Sequence, residues 1–281
     1  MAKTLSLLFC EGKDEPPYIY RLLKADGWSN KTDQTLDNYP DVLRKYIVSE
    51  LAKTSALSDT DPWNRGIGVL PWYILQKKLP PTNPNKHFIV IWQLGGESRY
   101  DLARPCIESF LVAIDSEFEE TEEFSLQIVF FYDADEAISN RIEAIQKHYK
   151  ELLPDFCTKL QIDQAIQTYK NVDECTSIGV FVFANEEGSG ALEDHLIPLM
   201  RKDNEAVFSA AEEYMDKFEG NRPKKFSRQK ALIGITGQLQ KPGKSNSVMI
   251  TDCKYITNTK INADENVQKL IHFIRGIIEL E

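Results

Sequence analysis

Four predominantly apolar runs constrain this chain more than any other feature: Leu5–Cys10, His87–Leu94, Leu126–Tyr132 and Ile178–Ala184. Continuous rather than alternating apolar character is what a strand needs when both faces of its sheet are covered, as in a parallel sheet. Each run ends in turn residues: Glu11-Gly12, Gly95-Gly96, Asp133-Ala134-Asp135 and Glu186-Glu187-Gly188-Ser189-Gly190. Helical stretches follow at Tyr18–Ala25, Tyr100–Ser116, Ile138–Leu153 and from Gly190 to Met200. Pro16-Pro17 suit a first helical turn, where a missing N–H costs nothing. Further helices are expected at Tyr39–Lys53, Glu205–Phe218 and Gln268–Leu280. Strands alternating with helices predict an α/β fold with an open, mostly parallel sheet covered on both faces. A single domain over residues 1–281 is expected. Residues 55–85, rich in Pro, Asp and Asn, read as a loop or peripheral insertion that packs through Trp63, Trp72 and Tyr73; residues 203–281 read as a C-terminal elaboration.

The formal charge of −10 argues against coating nucleic acid by bulk electrostatics, which needs excess Lys and Arg. It leaves room for a local basic patch or a bound cation. The five cysteines are odd in number, scattered and without a Cys-x-x-Cys pair, which suits free thiols in a reducing compartment. The first apolar run, cut short by Glu11, is too brief for a signal segment, and no later run is long enough to span a membrane. A cytoplasmic protein with no membrane partner is expected.

Three acidic groups share one address, just past the carboxyl ends of buried strands: Glu11 with Glu15, Asp133 with Asp135, and Glu193 with Asp194. Ligands of open α/β sheets bind at those strand ends. Glu11 and Glu15 lie four apart at a helix entry, so both carboxylates can face one side. Asp133 and Asp135 straddle Ala134, and extended backbone points alternate side chains the same way. Hard oxygen ligands suit Mg²⁺ or Mn²⁺, and a cation resolves the repulsion among gathered carboxylates. Taken singly each element has a plainer reading: a solvated turn for Glu11, an Asx-turn or cap for Asp-x-Asp, a helix-dipole partner for Glu193-Asp194. Their order on separate strands favours a site.

Leu7-Leu8-Phe9-Cys10-Glu11-Gly12-Lys13-Asp14-Glu15 resembles the opening motif of the Toprim domain, a Rossmann-like fold, and Val129–Asp135 resembles its Asp-x-Asp strand. The chain is most similar to stand-alone prokaryotic Toprim-like proteins of unassigned function, related to the overcoming-lysogenization-defect nucleases. That likeness takes in Gly95-Gly96, Gly188–Asp194, the tract Lys230-Ala231-Leu232-Ile233-Gly234-Ile235 and Pro242-Gly243-Lys244. The resemblance implies a nuclease-type metal site. Glu11 would be a ligand or general acid/base beside the Gly12 turn, and Asp133 and Asp135 would bind Mg²⁺. Glu15 and Glu193, next to Asp194, would complete a second site, and Lys230 would stabilise charge on phosphate. Phosphodiesters of DNA or RNA are the implied substrates. Departures are a long segment between the two motifs, no appended DNA-binding module, and no assignable tyrosine nucleophile, so strand passage is not expected.

Gly237-x-x-x-x-x-Gly243-Lys244-Ser245 imitates a phosphate-binding loop, but its spacing is one residue too long and Val248-Met249-Ile250 reads as a strand where a helix is needed. The basic stretch Lys217, Arg222, Lys224, Lys225, Arg228, Lys230, with Phe226, suits either a nucleic-acid backbone or a solvated loop. His87, His148, His195 and His272 show no ligand spacing, and His195, near the acidic helix start, reads as structural. A non-catalytic module binding a nucleotide, a nucleic-acid end or a protein is the second reading. A haloacid-dehalogenase-like phosphatase with Asp133 as nucleophile is disfavoured, because Glu136-Ala137 follow where that family carries Thr or Val.

Overall fold

A computed structural model describes residues 3–30, 39–56, 71–77, 86–96, 99–115, 124–170, 176–221 and 227–278. Among the described residues seven strands form one sheet: β1 (Lys3–Cys10), β2 (Trp28–Asn30), β3 (Tyr73–Lys77), β4 (Lys86–Gln93), β5 (Phe124–Asp133), β6 (Ile166–Lys170) and β7 (Thr176–Phe183). The order is β2-β3-β4-β1-β5-β7-β6. The central four, β4-β1-β5-β7, are parallel, and they are the four apolar runs of the sequence. The flanking strands β2, β3 and β6 pair antiparallel, so the sheet is mixed and mostly parallel.

Burial on both faces explains why apolar residues follow one another without alternation in these runs. Along β1, Leu5, Leu7 and Phe9 enter one core, and Leu8 and Cys10 enter the other. The first core is closed by α2 (Asp41–Ala56), α3 (Ala103–Asp115), α4 (Ile138–Tyr149) and α5 (Pro154–Lys159). The second is closed by α1 (Glu15–Ala25), α6 (Leu192–Arg201), α7 (Glu205–Lys217), α8 (Arg228–Gln238), α9 (Asn246–Asp252), α10 (Asn258–Ala263) and α11 (Glu265–Ile278). Among the described residues, the chain after residue 203 supplies five of the seven helices of that second layer, α7 to α11.

Two cations, half-buried Arg21 and buried Lys260, fasten that layer. Arg21 of α1 donates to the carbonyls of Ile250 (2.8 Å), Cys253 (2.5 Å) and Ile256. Lys260 donates to the carbonyls of Tyr255 (2.9 Å) and Lys202. Each satisfies carbonyls left open at helix ends. Helix α11 brings a full apolar stripe, Val267, Leu270, Ile271, Ile274 and Ile277, against β7. Gly179 of β7 makes that approach possible, since a Cβ there would overlap Ile277 Cδ1 and stand 2.9 Å from Phe273 Cζ.

Several expectations are corrected. Val248-Met249-Ile250 lie in α9, not in a strand, because Met249 and Ile250 pack into the helical layer. The phosphate-loop resemblance still fails, since Gly237 sits inside α8 rather than after a strand. The stretch 55–85 is not all loop: Trp72 and Tyr73 are described, with Tyr73 opening β3 and stacking on Tyr20 at 4.4 Å. Trp63, Arg222, Lys224, Lys225, Phe226 and Cys175 fall outside the described residues. No helix among the described residues is long and apolar enough to cross a membrane.

Candidate functional site

The carboxyl ends of β1 and β5 are joined through Glu11. Its N–H donates to the Phe131 carbonyl (3.0 Å), and its Oε2 accepts from the N–H of Asp133 (3.0 Å). The amides of Gly95 and Gly96 both close on the Glu11 carbonyl, at 3.0 and 2.9 Å. Two consecutive amides reach one oxygen because both glycines take positive φ, 90° and 136°. The Gly-Gly turn after β4 thus pins the Glu11 backbone.

Gly12 has a different task. A Cβ at Gly12 would lie 2.9 Å from Glu15 Oε2, so the missing side chain leaves room for the Glu15 carboxylate to fold back over the turn. Glu15, at the start of α1, is 4% exposed, and its Oε2 is buried with no hydrogen-bond partner. Asp14 beside it accepts from Ser247 Oγ of α9 at 2.5 Å. On β5, the Asp133 carboxylate accepts from the N–H of Leu192 (2.8 Å), which opens α6. Glu193, next in that helix, is 3% exposed and stands 3.8 Å from the Lys230 ammonium of α8.

These groups repel each other in a poorly solvated place. Burial pushes the Asp133 carboxyl well above the usual carboxylate range, and the nearby charges of Glu15 and Glu11 push it further. Burial likewise raises Glu15, to about 7, with Glu11, Asp14 and Glu193 adding to the effect. Burial also raises Glu193, opposed by Lys230. Burial works against the charge of Lys230, but Glu193, Asp133, Glu15 and Asp14 outweigh it and raise its pKa.

The fold therefore brings Glu11, Glu15, Asp133, Glu193 and Lys230 to one place and adds Asp14, which the sequence reading did not single out. It does not bring Asp135 alongside Asp133. Strand β5 ends at Asp133, and Asp135 takes a left-handed backbone (φ 52°), so the extended-strand expectation of a shared direction fails. Asp135 exchanges backbone hydrogen bonds with Gly190, at 2.7 and 2.8 Å, and its Oδ2 accepts from Arg141 Nη2 at 2.5 Å. Asp194 is occupied too: Oδ2 takes the Ala191 amide (2.8 Å) and Oδ1 the Gln229 side chain (2.6 Å), so it caps α6 and ties α8 to it. Among the described residues no three ligating groups stand at ready metal-ligand spacing.

Arg141 was also missed. It lies on the buried stripe of α4 with Ile142, Ile145 and Tyr149, and a cation on an apolar helix face was the available signal. His195 is structural as expected, its Nε2 facing the Ala184 carbonyl at 3.0 Å. Of the basic stretch, Arg228 is paired with Asp216 (2.6 Å), while Lys230 faces the carboxylates. Beside the carboxylates a cleft of about 440 Å³ is lined by Tyr100, Asp135, Glu136, Asn140 and Arg141.

No curated protein and no solved structure matches the chain. The family described as "Protein of unknown function (DUF3226)" matches residues 5–279. That match runs over nearly the whole chain, and the protein belongs to this family.

Proposed function

We propose that the protein is a Toprim-like, Mg²⁺-dependent enzyme acting on phosphodiester bonds, with nucleic acid as substrate. The observation that carries this reading is the buried carboxylate group Glu11, Glu15, Asp133 and Glu193, with Lys230 at its edge beside Glu193 and Arg141 behind Glu11. Four carboxylates gathered against two cationic side chains are costly in a protein interior unless a further cation joins them. Glu15 Oε2 is the clearest sign of fit, a buried carboxylate oxygen with no donor. The donor set is all oxygen, which Mg²⁺ and Mn²⁺ prefer. The order along the chain, Glu-Gly after β1 and Asp after β5, is the order of the Toprim motifs.

Glu15, Asp133 and Glu193 would hold the cation, with Glu11 fixed beside them by the Asp133 amide. Bound Mg²⁺ supplies Lewis-acid stabilisation of phosphate oxygens and a water of lowered pKa. The protein contributes orientation, because each carboxylate is anchored to a strand end or a helix start. Lys230, half exposed at the edge, is placed to meet the phosphate as a point charge. Glu11 would take the proton from an attacking water.

The test is a nicking assay on plasmid, single-stranded DNA and RNA with Mg²⁺ or Mn²⁺. Asp133→Ala is expected to abolish cleavage by the full chain, about a thousandfold or more, while the circular dichroism spectrum stays native. Cleavage by the variant at the wild-type rate would contradict the proposal. The net charge of −10 favours a second reading, a module that binds a nucleotide or nucleic-acid end in this pocket without turnover. Tight cation-dependent binding across the panel with no cleavage would select it.

A further inference from the structure

Arg141 is 5% exposed and spends its guanidinium on the residues around the carboxylate site. Its Nε donates to the Asp133 carbonyl at 2.6 Å, Nη1 to Tyr100 Oη at 2.7 Å, and Nη2 to Asp135 Oδ2 at 2.5 Å. The same Nη2 lies 3.4 Å from Glu11 Oε2. The group also stands over the Tyr132 ring, 5.4 Å from its centroid. Tyr100 is itself held, stacked on His148 at 4.4 Å with its carbonyl accepting from Tyr149 Oη at 3.2 Å.

A planar guanidinium meeting three acceptors at once fixes the directions of all three. Here it fixes the end of β5 from behind. With the Asp133 carbonyl held on Arg141, the Asp133 amide faces Glu11 and its carboxylate faces Leu192. With Asp135 drawn to the same guanidinium, the two aspartates part. Asp133 stays in the carboxylate pocket, and Asp135, half exposed, becomes a wall of the neighbouring cleft.

We infer that Arg141 is a positioning residue for the carboxylate site, and that Asp135 serves as its counter-ion rather than as a metal ligand. This rests on the divalent-cation reading given above. The sign of one measurement separates positioning from bare charge. A guanidinium near a bound cation repels it, so if charge were its only effect, removing Arg141 would tighten cation binding. If it orients the ligands, removing it weakens binding, as loss of supporting hydrogen bonds around metal sites does by about 10- to 100-fold.

The experiment titrates the full chain with Mn²⁺ alone, followed by electron paramagnetic resonance, for wild type, Arg141→Gln, Tyr100→Phe, Asp135→Asn and Glu15→Gln. Native circular dichroism is required of each. Arg141→Gln is expected to bind Mn²⁺ about tenfold more weakly, and Tyr100→Phe to shift in the same direction by less. Asp135→Asn, which keeps an acceptor for Arg141, is expected to stay within about threefold of wild type, while Glu15→Gln loses about tenfold or more. Equal or tighter binding by Arg141→Gln overturns the role of Arg141 alone, as does a loss in Asp135→Asn as large as that in Glu15→Gln. If Arg141→Gln does not fold, the Tyr100→Phe and Asp135→Asn titrations decide the same question. A wild type that binds no Mn²⁺ overturns both this inference and the cation reading beneath it.

Discussion

Glu15 concentrates the physics of the site in one side chain. Its carboxylate is folded under the Gly12 turn, cut off from water and left with an unpartnered oxygen. Its pKa in the folded state is raised, above all by burial, so the folded protein holds a proton that the unfolded chain has released. The associated stability is fully present below the unfolded value of about 4.3 and is lost as pH rises to about 7. In the absence of divalent cations, Glu15→Gln is therefore expected to stabilise the protein at pH 8 by about 1–3 kcal/mol. That is a rise of about 2–6 °C in thermal midpoint, shrinking toward zero at pH 4. Adding Mg²⁺ at pH 8 should raise the midpoint of wild type and leave the variant nearly unmoved. Thermal melts in EDTA and in Mg²⁺ across that pH range check both parts. A variant less stable than wild type at pH 8 in EDTA would show that the carboxylate is already compensated.

At the scale of elements, β7 and α11 show how a single position sets a packing distance. Gly179 has no room for a Cβ beneath Ile277 and Phe273. Gly179→Ala is expected to cost about 1–3 kcal/mol, the usual penalty of overpacking, and to lower the thermal midpoint by about 2–6 °C. Adding Ile277→Ala should return part of that loss, because the overlap disappears and the two effects couple. An unchanged midpoint in the single variant would show that α11 shifts freely. Elements also explain what could be read in advance. The four central strands announced themselves because burial on both faces removed every polar residue from Leu7–Cys10 and Ile128–Phe131. The antiparallel strands β2, β3 and β6 did not: Trp28–Asn30 is three residues long, only Leu75 of β3 is buried, and β6 has no buried residue and carries Gln167, Thr168 and Lys170. Helix α9 was misread because Val248-Met249-Ile250 is an apolar run too short for periodicity to separate helix from strand. In the site, the gathering of Glu11, Glu15, Asp133 and Glu193 was expected from strand-end placement together with the ordered Glu-Gly and Asp-x-Asp motifs. Asp135 was not, because its direction depends on a left-handed residue and on Arg141 from a neighbouring helix.

At the scale of the molecule, the acidic site lies where a parallel sheet offers one. The carboxyl ends of β1 and β5 stand side by side at the centre of the sheet, and the turn after β7 joins them through Asp135 and Gly190. Three loops from three strands deliver their carboxylates to one place, with α8 adding Lys230 from the C-terminal layer. The net charge of −10 deepens the negative potential there, which favours cations and opposes nucleic acid. Cation uptake thus precedes any phosphodiester chemistry in this account, and it is the claim to test first. The direct measurement is an anomalous difference map at the manganese edge from crystals soaked in Mn²⁺ at pH 8. A peak is expected within coordination range of Glu15, Asp133 and Glu193; a fully soaked crystal with no peak there would contradict cation binding at this site.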